Sequence, residues 1–149
     1  MGNRARLAID RGIPPSDLHE VPTVARTLEE QGYDGCWTGE INHDPFLPLV
    51  LAAEHTTRMQ LGTSIAVAFA RNPMIVAGLG WDLQSYSQGR FILGLGTQVQ
   101  AHIEKRFSMP WGGSRCAGWA SSSLRCRRSG PPGATTAGSP SRVSSIRTG

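Results

Sequence analysis

Short apolar runs alternate with helical patterns from Leu7 to Trp111, in the order β-α-β-α-β-α-β-α. Leu7-Ala8-Ile9 opens the series as the first strand. Asp17 and Glu20 stand at capping-box spacing before a helix with Val21, Val24, Ala25 and Leu28 on one side, closed by Gly32. Gly35-Cys36-Trp37-Thr38 is the second strand, and Pro48 opens a helix through Leu49, Leu51, Ala52 and His55. Met59 to Val67 reads as one buried strand. Asn72-Pro73 pairs an N-cap with a first-turn proline, heading a helix that Gly89 ends. Arg90 to Gly96 is the fourth strand, and Val99, Ile103 and Phe107 mark a fourth helix. Strands joined through helices in this way run parallel, so the fold class is α/β, with helices packed over a parallel sheet. An open sheet and a barrel share this pattern.

The alternation stops at Trp111. Residues 112–149 hold nine Ser, seven Gly and six Arg, with no acid and no sustained hydrophobic period. The formal charge of +4 therefore resolves into −2 for residues 1–111 and +6 for residues 112–149. Two units are expected: an α/β domain over 1–111 and a low-complexity Arg/Ser/Gly tail over 112–149, disordered by composition. A sharper reading of the tail is a shifted reading frame. One choice of codons for Arg128 to Thr135, read two bases later, encodes Ile-Trp-Ala-Ala-Trp-Arg-Asp, an amphipathic helical sequence.

Several function classes drop out on composition. No apolar run nears the roughly 18 residues of a membrane span, and no secretory signal pattern opens the chain. Cys36, Cys116 and Cys126 form no CxxC pair, which argues against a disulfide scaffold or zinc ribbon and for a reducing cytoplasm. The tail arginines offer salt-dependent attraction to phosphate, which leaves a nucleic-acid-binding module using the basic tail as an alternative function, with no specific nucleic-acid partner expected.

In parallel α/β proteins the chemistry gathers at the C-terminal ends of the strands. After the second strand, Glu40, His43 and Asp44 are candidates for acid–base work; the plain alternative is a turn at Asp44-Pro45 with His43 on the surface. Arg71 and the helix N-terminus behind it are a candidate anion site, against a cap at Asn72 and a solvated charge. Gly94-Leu95-Gly96-Thr97-Gln98 lets backbone approach a phosphate or flat ring, though the third glycine of a dinucleotide fingerprint is missing. His102 and Arg106 share a helical face, which can contact an anionic group or face solvent. His19, His43, His55 and His102 are scattered without metal-site spacing, so no metal is expected. Cys36, inside an apolar strand, reads as core.

Four stretches carry a resemblance: Ala25-Arg26-Thr27-Leu28-Glu29-Glu30-Gln31-Gly32-Tyr33-Asp34, Leu61-Gly62-Thr63-Ser64-Ile65, Arg71-Asn72-Pro73 and Gly89 to Thr97. In this order they resemble the luciferase-like family of flavin and deazaflavin oxidoreductases, in its coenzyme F420-dependent branch, over roughly residues 5–111. The resemblance implies the N-terminal half of a (β/α)8 TIM barrel, about four βα units, with the cofactor ring across the C-terminal mouth. It implies a bulge in the third strand near Ser64-Ile65, often with a non-proline cis peptide, supporting one face of the ring. Glu40 falls where the family places an acid beside the ring. Some members follow it with a catalytic His; here Ile41 follows, and His43 is the nearest substitute. Gly96, Thr97 and Gln98 fall beside the ribityl and phosphate portion, with Val99 where some members carry a glutamate. The implied activity is hydride transfer between F420 and a small organic substrate, with FMN-dependent monooxygenation as the alternative. Full-length relatives are expected to be homo-oligomers, and this chain is expected to be a truncated, inactive form.

Overall fold

The computed structural model describes residues 7–13 and 17–111. The expectations for the tail, disorder or a shifted frame, lie outside the described residues. Six short strands and four helices follow one another: β1 (Asp10–Gly12), α1 (Val21–Glu30), β2 (Gly35–Thr38), α2 (Leu47–His55), β3 (Gln60–Thr63), β4 (Ala66–Val67), α3 (Pro73–Tyr86), β5 (Phe91–Ile92), β6 (Leu95–Gly96) and α4 (Gln100–Lys105), with a single 3₁₀ turn at Ala68–Ala70 before α3. A four-stranded parallel sheet runs β1-β2-β3-β5, and β4 pairs with β6 in a second, two-stranded sheet.

Helix boundaries follow local chemistry. Gly32, at φ +90°, lets Tyr33 donate to the Leu28 carbonyl and itself donate to Glu29, which closes α1. The Asn72 side chain accepts from the Met74 amide at 2.8 Å and caps α3. The expected capping box does not form. Asp17 accepts from the His19 amide instead, and Glu20 is itself the residue before the first turn, so the helix starts three residues too late for the box.

Three strand expectations need correction. The first strand lies at Asp10–Gly12, one step beyond Leu7-Ala8-Ile9, because the Ile9 amide goes to the Asp34 carboxylate and not to a ladder partner. The expected strands Met59–Val67 and Arg90–Gly96 each break in two. At the break the Thr63 hydroxyl stands in for the ladder, accepting from the Gly94 amide at 2.9 Å and donating to the Gly94 carbonyl at 2.7 Å. Beyond it the Ala66 amide takes up the same carbonyl at 2.9 Å. The chain then pairs again as β4 and β6.

In register across the sheet, Cys36, Leu61 and Phe91 point to the helices. There they meet Val21, Ala25 and Leu28 of α1, Leu49, Ala52 and Ala53 of α2, and Val76 and Leu83 of α3. Each large side chain so buried contributes about 1.5–3 kcal/mol. On the opposite face Trp37 lies between Gly12 and Gly62, and a Cβ on Gly62 would sit 2.2 Å from its ring. The Trp37 indole donates to Asp10 at 3.0 Å.

Charged side chains tie the N-terminal ends of the strands together. Glu29, at the end of α1, accepts from the amides of Thr57, Arg58 and Met59 in the loop before β3. Burial pushes its carboxyl up, but those amides and the Thr57 hydroxyl outweigh burial and hold it below the ordinary carboxylate range. A lowered folded value means stabilisation that is full above the unfolded value and lost as pH falls through the folded one. In urea titrations from neutral to acid pH, Glu29→Gln is expected to be less stable at neutrality and to lose less on acidification. Parallel acid limbs in the two proteins would refute that.

Cys36 is fully buried and its thiol is pushed up to about 12, chiefly by desolvation, with the Arg90 charge pulling weakly the other way. Alkylation by iodoacetamide at mildly alkaline pH, mapped by peptide mass, is expected to spare Cys36 in the folded chain and reach it in denaturant. Labelling without denaturant would contradict its placement in the core. Among the described residues, no helix is long and apolar enough to cross a membrane.

Candidate functional site

At the C-terminal ends of the strands, three loops converge on the break in the third strand. The Ser64 amide donates to the Thr38 carbonyl at 2.7 Å, and the Glu40 amide donates to the Ile65 carbonyl at 3.2 Å. The segment after β2 therefore runs alongside the bulge. The Ser64–Ile65 peptide is cis, where the resemblance places such a bond. Ser64 is exposed and Ile65 half-buried. Gly96 comes against Ile65 from the other side, and a Cβ there would meet the Ile65 side chain at 2.7 Å. Ser64, Ile65 and Gly96 are thus brought together, with Thr97 and Gln98 continuing from Gly96. Gln98 takes φ +61°, and its side chain accepts from the Val99 amide at 3.1 Å.

Glu40 is only 7% exposed. Its Oε2 accepts from the Val67 amide at 2.7 Å and from Nη1 of Arg71 in a short ion pair. Nη2 of Arg71 reaches Asp44 at 3.0 Å, and the guanidinium lies 5.5 Å from the Phe46 ring centre. The other Asp44 oxygen accepts from the Phe46 and Leu47 amides and so holds the turn that leads into α2. Burial would lower the Arg71 guanidinium, but Glu40 and Asp44 more than offset that and raise it further. Arg71 is therefore an internal clamp, which corrects its reading as a site for an external anion. Its two forks are already taken by carboxylates.

His43 is exposed, and no hydrogen bond or ion pair joins it to Glu40 or to any other described residue. The expected Glu40–His43 acid–base pair is thus not assembled by a direct bond. His102 and Arg106 are both exposed at α4, and the Arg106 guanidinium lies over Phe107 at 5.1 Å. Among the described residues, no group of three His, Cys, Asp or Glu side chains could hold a metal ion. Two features of the mouth escaped the sequence reading. Thr63 bridges the strand break, and Trp111 packs edge-on against Phe69 at 5.7 Å, bringing the chain after α4 back to the mouth. Neither leaves a local sequence signal.

The sequence model of the family described as luciferase-like monooxygenase matches residues 3–116. An uncharacterized protein of Mycobacterium tuberculosis is 66% identical over 112 residues, covering 75% of this chain and 33% of that protein. A putative coenzyme F420-dependent oxidoreductase of the same species is 34% identical over 102 residues, covering 65% of this chain and 28% of its own length. Among solved structures, the coenzyme F420-dependent tetrahydromethanopterin reductase of Methanopyrus kandleri superposes with TM-score 0.63 at 25% identity, over 72% of this chain and 31% of that one. The chain spans about a third of the length of the relatives it matches.

Proposed function

The chain belongs to the luciferase-like monooxygenase family, and from that premise we propose that it carries one half of the mouth of an F420-dependent oxidoreductase acting on a small organic substrate. The observation that carries the reading is the meeting of Ser64–Ile65 with Gly96 at the strand ends. Ser64 is exposed there and Gly96 adds no side chain beside Ile65, which suits a flat ring system lying across the mouth. Ser64 and Ile65 would support the ring, Glu40 would lie beside it, and Gly96, Thr97 and Gln98 would hold the ribityl and phosphate portion. When bound, the deazaflavin supplies the hydride chemistry, and the protein supplies orientation and exclusion of water. His43, exposed and without a hydrogen-bond partner among the described residues, is the group proposed to move a proton at the mouth. FMN is the alternative cofactor, favoured by the monooxygenase members of the family.

The described residues supply about four βα units of a barrel that needs eight. Turnover by this chain alone is therefore not expected, while weak, saturable binding is. Fluorescence titration of the purified chain with F420, and separately with FMN, tests both statements. Saturable binding of F420 in preference to FMN supports the proposal. The reverse preference supports the alternative, and no binding of either removes the cofactor reading. Tight binding with turnover would overturn the inactivity.

A further inference from the structure

We infer that Arg71, acting through Glu40, is the positioning residue that fixes the backbone from Ser64 to Val67 against the mouth. Glu40 grips that segment at both ends, its amide on the Ile65 carbonyl and its carboxylate on the Val67 amide. A buried carboxylate keeps such a position only if a counter-charge holds it there. Among the described residues, Arg71 alone forms an ion pair with Glu40. The guanidinium is itself fixed, by Asp44 through its second nitrogen and by the Phe46 ring beneath it.

Asp44 in turn is anchored by two amides at the start of α2. The sequence of contacts therefore runs from α2 through Asp44, Arg71 and Glu40 to the strand break. None of these links belongs to the four-stranded sheet. Loss of Arg71 leaves the Glu40 carboxylate buried without its partner, so it turns towards solvent and frees the Val67 amide. Glu40 in this arrangement is a brace for the bulge and acts on a bound ring only through the backbone it holds. The inference rests on the proposed function solely for the identity of what that backbone faces.

Amide hydrogen exchange of the full chain tests it, comparing wild type with Arg71→Lys, Arg71→Met and Glu40→Gln. Loss of a charge-assisted bond to a buried group predicts about tenfold faster exchange at Val67 in Arg71→Met, with Leu61 and Cys36 unchanged. Arg71→Lys, which keeps one ion pair, should fall between, and adding Glu40→Gln to Arg71→Met should change nothing more. Titration with F420 is expected to weaken in the same order. Val67 protection in Arg71→Met equal to wild type would overturn the inference, and so would faster exchange spread evenly over the sheet. If Arg71→Met does not fold, Arg71→Lys and Glu40→Gln decide by the same comparison. If wild type binds neither cofactor, the functional proposal fails, while the exchange result still judges the brace.

Discussion

Gly94→Ala is expected to be among the most damaging single-methyl additions in this chain. An added Cβ would lie 2.0 Å from the Thr63 carbonyl oxygen and 3.2 Å from its carbon, and both are backbone atoms of the neighbouring strand. No rotamer relieves such a clash, so the strands must part. Parting them also breaks the two bonds between Thr63 and Gly94 and the bond from Ala66. Overpacking in a fitted core costs about 1–3 kcal/mol, and this site should reach or pass the upper end. Gly78→Ala is the matched control, since a Cβ there meets nothing within 4 Å in the body of α3. That change should be neutral or stabilise by roughly 0.5–1 kcal/mol. Urea unfolding followed by circular dichroism compares the two. Equal midpoints for wild type and Gly94→Ala would show that the strands do not approach as closely as described.

Arg90→Met should be comparably severe, for an electrostatic reason. The Arg90 guanidinium donates to the carbonyls of Ala53, Thr56, Met59 and Ser87 and to the Thr56 hydroxyl. It gathers the end of α2, the start of β3 and the turn before β5 around one planar group. Methionine preserves the length of the stem and leaves those carbonyls without a donor. The expected loss is on the order of 3–5 kcal/mol, a large share of the about 5–15 kcal/mol that holds a typical domain together. Arg90→Lys should recover only part of it, because a single ammonium cannot reach acceptors spread around a planar fork. Thermal melts of the three proteins test the ordering. A lysine variant as stable as wild type would mean that charge, and not the fork, is what matters.

The elements legible in the sequence are those whose cause is local. Gly32 and Gly89 adopt the positive φ values that end helices, Asn72 caps α3, and Gly35–Thr38 is a strand as read. The α/β class follows from their order, and the family resemblance located the bulge at Ser64–Ile65. What could not be read depends on partners far along the chain. The Arg71 clamp spans 31 residues to Glu40 and 27 to Asp44, and one Arg90 contact spans 37. Apolar periodicity also ran straight through residues 59–67 and 90–96, because residues on either side of each break are apolar alike. The threonine hydroxyl that interrupts the ladder looks the same, in sequence, as any other strand threonine.

The latches formed by Glu29 and Arg90 carry a consequence for the order of assembly. Glu29 fastens the first helix to the loop entering β3, and Arg90 fastens that same region to the strand that follows α3. Both latches therefore meet in the segment between α2 and β3, at the end of the sheet away from the mouth, one reaching back to α1 and the other forward to the residue before β5. In a chain emerging from the ribosome the first latch can close once Met59 has been made and the second once Arg90 follows, without waiting for a ring of strands to close. Loops at the opposite end are then free to diverge in length and chemistry, because the order of addition is decided elsewhere.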